Sequence, residues 1–107
     1  MSQGGTKHDQ NKPRMDLLCP SFTRGVAEVL TFGAKKYAPN NWRKGIEYSR
    51  IIGAIHRHLA SIQEGEDIDP ESGLPHIYHI GCNAQFLGWM MKERPDLDDR
   101  WKNEDQN

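Results

Sequence analysis

An all-α fold is predicted by three features of the sequence. Apolar residues recur at intervals of three and four from Ser21 to Tyr37, from Glu47 to Gln63, and from Leu74 to just before Pro95. No segment shows the strict alternation of a half-buried strand. Proline, glycine and asparagine fall between the periodic segments, where chain reversals need them. The expectation is one small domain, residues 1–107, of three to four helices with an extended N-terminal arm and flexible ends at 1–6 and 102–107. A chain of 107 residues buries roughly 60–70% of its unfolded surface. With 36% hydrophobic residues, its core should be completed by oligomerisation or a bound metal.

The arm carries Lys12, Pro13 and Arg14, then Leu17, Leu18 and Pro20. The prolines favour extended backbone. The arm is either solvated or folds its cations over a phosphate-bearing ligand, and its leucines suggest docking. Ser21 is a good N-cap for the first helix. Phe22, Val26, Val29, Leu30, Gly33 and Tyr37 line one face, and Lys35 and Lys36 suit the negative end of its dipole. Residues 38–45 read as a turn. Within it, Trp42 beside Arg43 plugs the core or offers a stacking surface with a phosphate ligand, two readings that are compatible. Ile51, Ile52, Ile55, Leu59 and Ile62 make the stripe of the second helix, with His58 at its border. In the third helix, Pro75 belongs in the first turn. Gly81, Ala84 and Gly88 form a small-residue stripe that implies close helix approach, within the chain or across a subunit interface. Beyond Pro95, Trp101 is the only large apolar anchor expected of a charged tail.

Four of the five histidines (His56, His58, His76 and His79) fall between residues 56 and 83. Between the two pairs lie Glu64, Glu66, Asp67, Asp69 and Glu71. A lone histidine on a helix border is usually a polar core-edge group, and an acidic run is usually a solvated turn. Their combination is different: imidazoles on two helices with carboxylates between them can hold a divalent cation. His76 and His79 share a helix face, and Asn83 lies one turn further along it. The loop lacks the ligand spacing of an EF-hand.

The formal net charge of −1 gives no broad basic surface for nucleic acid. Without a long apolar run or a signal peptide, a soluble, cytoplasmic protein is expected. Cys19 and Cys82 lack metal-type spacing and read as free thiols.

Four ordered blocks carry a resemblance. They are Lys7-His8-Asp9-Gln10-Asn11-Lys12-Pro13-Arg14 with Leu17-Leu18, Phe32-Gly33-Ala34-Lys35-Lys36-Tyr37 with Asn41-Trp42-Arg43-Lys44-Gly45, Arg57-His58-Leu59, and the stretch from Gly65 through His76 and His79 to Asn83. In these the chain resembles the phage dATP/dGTP diphosphohydrolase family. The resemblance implies removal of pyrophosphate from a purine deoxynucleoside triphosphate, in the host cytoplasm if phage-encoded. The reaction is also that of MazG-like all-α pyrophosphatases, but their E-x-x-E and E-x-x-D pairs are missing, and His76-x-x-His79 stands where the second would fall.

Within that resemblance, His58, Glu66, Asp69, His76 and His79 are the expected ligands of one or two divalent ions, with Mn, Mg, Co or Zn as the cofactor. Glu71 or Asp67 would be the general base. Lys12, Arg14, Lys36, Arg43 and Arg57 would counter the phosphates, and Trp42, Tyr37 and Asn83 would bind the base. A homo-oligomer is expected. Two rivals remain: a non-catalytic nucleotide-binding module with a structural metal, and an interaction protein whose histidine–acid cluster is a buried polar network.

Overall fold

The structure, a computed structural model, describes residues 5, 6, 8 and 10–102. The expected flexibility of 1–4 and 103–107, and the arm residues Lys7 and Asp9, lie outside the described residues. Those described form three helices: α1 (Pro20–Lys36), α2 (Tyr48–Gln63) and α3 (His76–Glu93). Short 3₁₀ turns lie at Met15–Leu17, Asn41–Lys44 and Pro95–Leu97. Extended pairing among the described residues is confined to one bridge, Ile68 to Pro75. None of these helices is long and apolar enough to cross a membrane.

The helices form where the apolar periodicity lies, and their first residues differ by local chemistry. Helix α1 starts at Pro20, not after a Ser21 cap: proline takes the first helical position, where its missing N–H costs nothing, and Cys19 becomes the N-cap. Helix α3 starts at His76 because Leu74 is still engaged in the preceding loop, accepting the Asp69 N–H at 2.9 Å.

Helix α3 is the spine against which both others pack. Towards its C-terminus, buried Tyr48, Ile51 and Met90 form a core with Trp42, Ile46, Phe86, Trp89 and Leu97 around it. The Tyr48 hydroxyl donates to the Met90 carbonyl at 3.2 Å. Towards the N-terminus of α3, α1 approaches closely: a Cβ on Gly25 would lie 2.5 Å from the Tyr78 ring, and one on Gly81 2.8 Å from Phe22. Phe22 meets Tyr78 edge-on at 5.4 Å. Of the small-residue stripe, Gly81 therefore serves a contact within the chain. Gly88 is exposed and has nothing within 4 Å.

The tail anchors differently from expectation. Trp101 is 85% exposed, while Leu97 packs against the core. Asp99 accepts the Ser49 N–H at 2.8 Å and the Ser49 hydroxyl, capping α2 from 50 residues away. Glu47, the residue at the N-cap, makes no side-chain cap bond. Leu17 and Leu18 do not dock on this chain; they are 73% and 56% exposed.

Candidate functional site

Helices α1 and α2 each lie against α3 and scarcely touch one another. Between the C-terminal half of α1 and the middle of α2 opens a cleft of about 1360 Å³, floored by α3 and closed at one end by the loop 64–75. Its lining includes Lys36, Tyr37, Trp42, Arg43, Arg57, His58, Glu66, Asp69, Glu71, His76, His79 and Asn83. Three sequence-predicted residues lie elsewhere. Lys12 is exposed on the arm, Arg14 makes a two-toothed pair with Asp16 at 2.8–2.9 Å, and Asp67 is exposed on the loop outside the cleft. Asp67 contributes its backbone carbonyl, which takes the His76 N–H at 2.9 Å.

The loop 64–75 holds its acids by its own backbone. Asp67 pairs with His76 and Asp69 with Leu74 across its neck, and Gly73 donates its N–H to the Asp69 carbonyl at 2.8 Å. Gly73 has φ of +73°, which suits glycine. Both α3 histidines are buried and face this loop. His76 Nε2 lies 2.7 Å from Glu66 Oε1, and His76 Nδ1 lies 2.8 Å from His58 Nδ1. His79 Nε2 lies 2.7 Å from Ser72 Oγ and 3.3 Å from Asp69 Oδ2. The His79 and His58 rings stack at 4.6 Å.

Burial lowers the pKa of His58, with the neighbouring His79 and His76 adding to it and Asp69 opposing. Burial lowers that of His79 too, against the pull of Asp69. Burial pulls the Asp69 carboxyl upward, yet hydrogen bonds from the Glu71 N–H and the Ser72 hydroxyl leave it below its ordinary value. Burial pushes the Cys82 thiol up to about 11. Both cysteines are free.

Ser72 is the residue that sequence reasoning missed. Asp69 Oδ1 accepts the Glu71 N–H at 3.2 Å and Oδ2 the Ser72 hydroxyl at 3.1 Å. An aspartate followed by Pro-Glu-Ser is the signal for such a side-chain-closed turn. Ser72, His79 and Asp69 are not a nucleophilic triad: serine and carboxylate meet the same imidazole nitrogen, whereas proton relay needs them on opposite nitrogens.

The aromatic and cationic residues sort themselves. Trp42 is tilted on Phe86 at 4.9 Å and edge-on to Trp89 at 5.2 Å, so it plugs the core. Arg43 lies over its ring at 4.5 Å and is held by Asn40 Oδ1 at 3.0 Å. Tyr37 is 65% exposed at the rim. Lys36 donates to Glu71 Oε2 at 3.0 Å. Asn83 donates to the His79 carbonyl at 2.8 Å, and His56 is exposed.

Among the described residues, no three His, Cys, Asp or Glu side chains form a group arranged to hold an ion. The donor chemistry does fit a divalent cation at one place. His58 Nδ1 and His76 Nδ1 face each other at 2.8 Å, a hydrogen-bond distance that a small opening would bring to the roughly 3.0–3.4 Å between neighbouring ligands with bonds of about 2.1 Å. Glu66 stands behind His76 on its other nitrogen, the usual place for a carboxylate orienting a histidine ligand.

Sequence comparison gives the chain its relatives. A dATP/dGTP diphosphohydrolase of Salmonella phage PMBT28 is 38% identical over 96 residues, 90% of this chain and 33% of the relative. The chain thus spans about a third of that relative's length. No solved structure gives a significant match. Residues 2–100 match the family described as dATP/dGTP diphosphohydrolase, N-terminal, and the chain belongs to that family.

Proposed function

We propose that this domain carries out metal-dependent hydrolysis of dATP or dGTP to the monophosphate and pyrophosphate, in phage nucleotide metabolism in the host cytoplasm. The family supports the reaction. The observation that carries the reading is the cleft that puts a histidine–carboxylate network beside Lys36, Arg43 and Arg57, with Tyr37 at its rim. His58 and His76 would hold a cation such as Mn, Co, Zn or Mg, with Asp69, His79 and Glu66 around it. When bound, it would supply charge for the triphosphate and make a water more acidic.

The other steps belong to the chain. Glu71 is exposed at the cleft and takes the proton from the attacking water. The water oxygen bonds to the α-phosphorus, the bond to the α–β bridging oxygen breaks, and pyrophosphate leaves with that electron pair. Lys36, Arg43 and Arg57 compensate the phosphate charge. Tyr37 stacks on the base, and Asn83 offers an amide to it. Trp42 acts indirectly, by holding the Arg43 plane. The test is turnover of the separate dNTPs and NTPs with Mn²⁺, measuring both products. Monophosphate and pyrophosphate from dATP or dGTP, lost on chelation, support the reading; no product from any nucleotide removes it.

A second reading follows from coverage: the relative is about three times as long. This domain would then bind nucleotide, with a structural metal, while hydrolysis resides elsewhere. It predicts stoichiometric binding without released pyrophosphate, and unfolding on metal removal.

We also propose a homo-oligomer. Buried apolar residues are few (Val29, Tyr48, Ile51, Cys82 and Met90), while Leu17, Leu18, Leu59, Ile68, Ile77 and Met91 are each at least 45% exposed. Sedimentation at micromolar concentration tests this, and a monomer throughout removes it.

A further inference from the structure

We propose that Ser72 is a positioning residue: with Asp69 it holds His79 as the Nε2–H tautomer, as Glu66 holds His76, so that both α3 histidines keep an unprotonated Nδ1. The part that concerns the cation rests on the function proposed above. The tautomers themselves follow from counting protons.

Asp69 is ionised and can only accept. It lies 3.1 Å from Ser72 Oγ and 3.3 Å from His79 Nε2. The Leu74 N–H already donates to Ser72 Oγ at 3.2 Å. If the serine hydroxyl donated to His79, Asp69 Oδ2 would face lone pairs on both neighbours. If it donates to Asp69, His79 Nε2–H donates to the serine oxygen and leans on the carboxylate. Ser72 then gives one hydrogen bond and accepts two, its full capacity. His79 keeps its unprotonated nitrogen at Nδ1.

The same count applies next door. Glu66 Oε1 at 2.7 Å requires a proton on His76 Nε2, leaving the His76 Nδ1 lone pair facing His58 Nδ1 at 2.8 Å. His58 supplies the one proton between them. Glu66 and Asp69 therefore hold the imidazoles through Nε2, a role that fixes ring and tautomer together. Ser72 makes the shorter of the two contacts to His79, and the Leu74 N–H fixes its oxygen.

The test is a long-range ¹H–¹⁵N correlation spectrum of histidine-labelled, metal-free protein at pH 7.5, which assigns each tautomer without reference to turnover. The expected result is Nε2–H for both His76 and His79. In Ser72→Ala, the Nδ1–H form of His79 should rise several-fold while His76 is unchanged, and Ser72→Thr should restore the wild-type spectrum. Mn²⁺ affinity, read by calorimetry, should fall about tenfold in Ser72→Ala and recover in Ser72→Thr. Nδ1–H at either histidine of the wild type overturns the proposal, and needs no variant to fold. A Ser72→Ala protein with the wild-type spectrum and wild-type Mn²⁺ affinity overturns the role of Ser72. Wild-type protein with both Nε2–H tautomers but no affinity for Mn²⁺ overturns the metal reading and leaves the tautomer assignment standing.

Discussion

His58 Nδ1 and His76 Nδ1 lie 2.8 Å apart, from the middle of α2 and the first residue of α3. Two like nitrogens at that distance share one proton, or lose it to a cation. Replacing either ring removes half of the pair. His76→Ala should abolish Mn²⁺ binding and reduce turnover by at least a hundredfold, and His58→Ala should do the same. Calorimetry with Mn²⁺ beside turnover checks this. Wild-type metal stoichiometry and retained activity in both variants would remove the pair as ligands.

Two histidines of the cluster, His58 and His79, make stability depend on pH. Burial lowers the pKa of His58 and His79 below the ordinary 6.5, so between the two values the unfolded chain holds more protons than the folded one. Their contribution is complete above about 6.5 and is lost as pH falls through the lowered values. The Tm of metal-free protein should be flat from pH 8 to 7 and drop between pH 6.5 and 5. A Tm that rises in that interval would contradict the sign. Asp69, also lowered, extends the loss to still more acid pH.

Lys36 and Glu71 join the end of α1 to the acidic loop by an exposed ion pair at 3.0 Å. Such a pair contributes little to folding, so its partners are available to a ligand. Glu71→Gln should leave Tm within about 1 °C of wild type and lower kcat by about 10²–10⁴, the usual worth of a general base. KM should not rise, because Lys36 is released towards phosphate. An unchanged kcat would remove Glu71 as the base.

The helices and the histidine–acid cluster were legible because both are written locally. The 3–4 spacing of Ile51, Ile55 and Ile62 specifies an apolar face, and the chemistry of residues 56–83 needs no distant partner to be noticed. What escaped depends on placement in space, part of it long-range. Arg43 covers the Trp42 face only because Phe86 and Trp89, over 40 residues on, hold the indole in the core. Arg14 lies outside the cleft, in an exposed pair with its near neighbour Asp16, and charge alone does not tell which cations the fold brings to the site. Ser72 carries no charge to mark it in the sequence, although its hydroxyl links Asp69, His79 and Leu74.

The tail offers the sharpest structural test. Asp99 reaches the backbone N–H and hydroxyl of Ser49, at the start of α2, and meets a need that Glu47 leaves unmet. Helix N-termini leave N–H groups without intrahelical partners, and an aspartate there satisfies one and favours the dipole. The Ser49 hydroxyl, and then its N–H, lower the pKa of the Asp99 carboxyl below its ordinary value, so it stays ionised at neutral pH. Asp99→Ala should lower Tm by about 5 °C, on the scale of a lost cap in a small domain. Asp99→Asn, still a good capping residue, should recover most of it. A thermal melt of the three proteins decides the matter: equal Tm values for wild type and Asp99→Ala would mean that residues beyond Pro95 contribute no cap to α2. Because α2 carries His58, the same loss should also weaken Mn²⁺ binding several-fold as temperature approaches the melt.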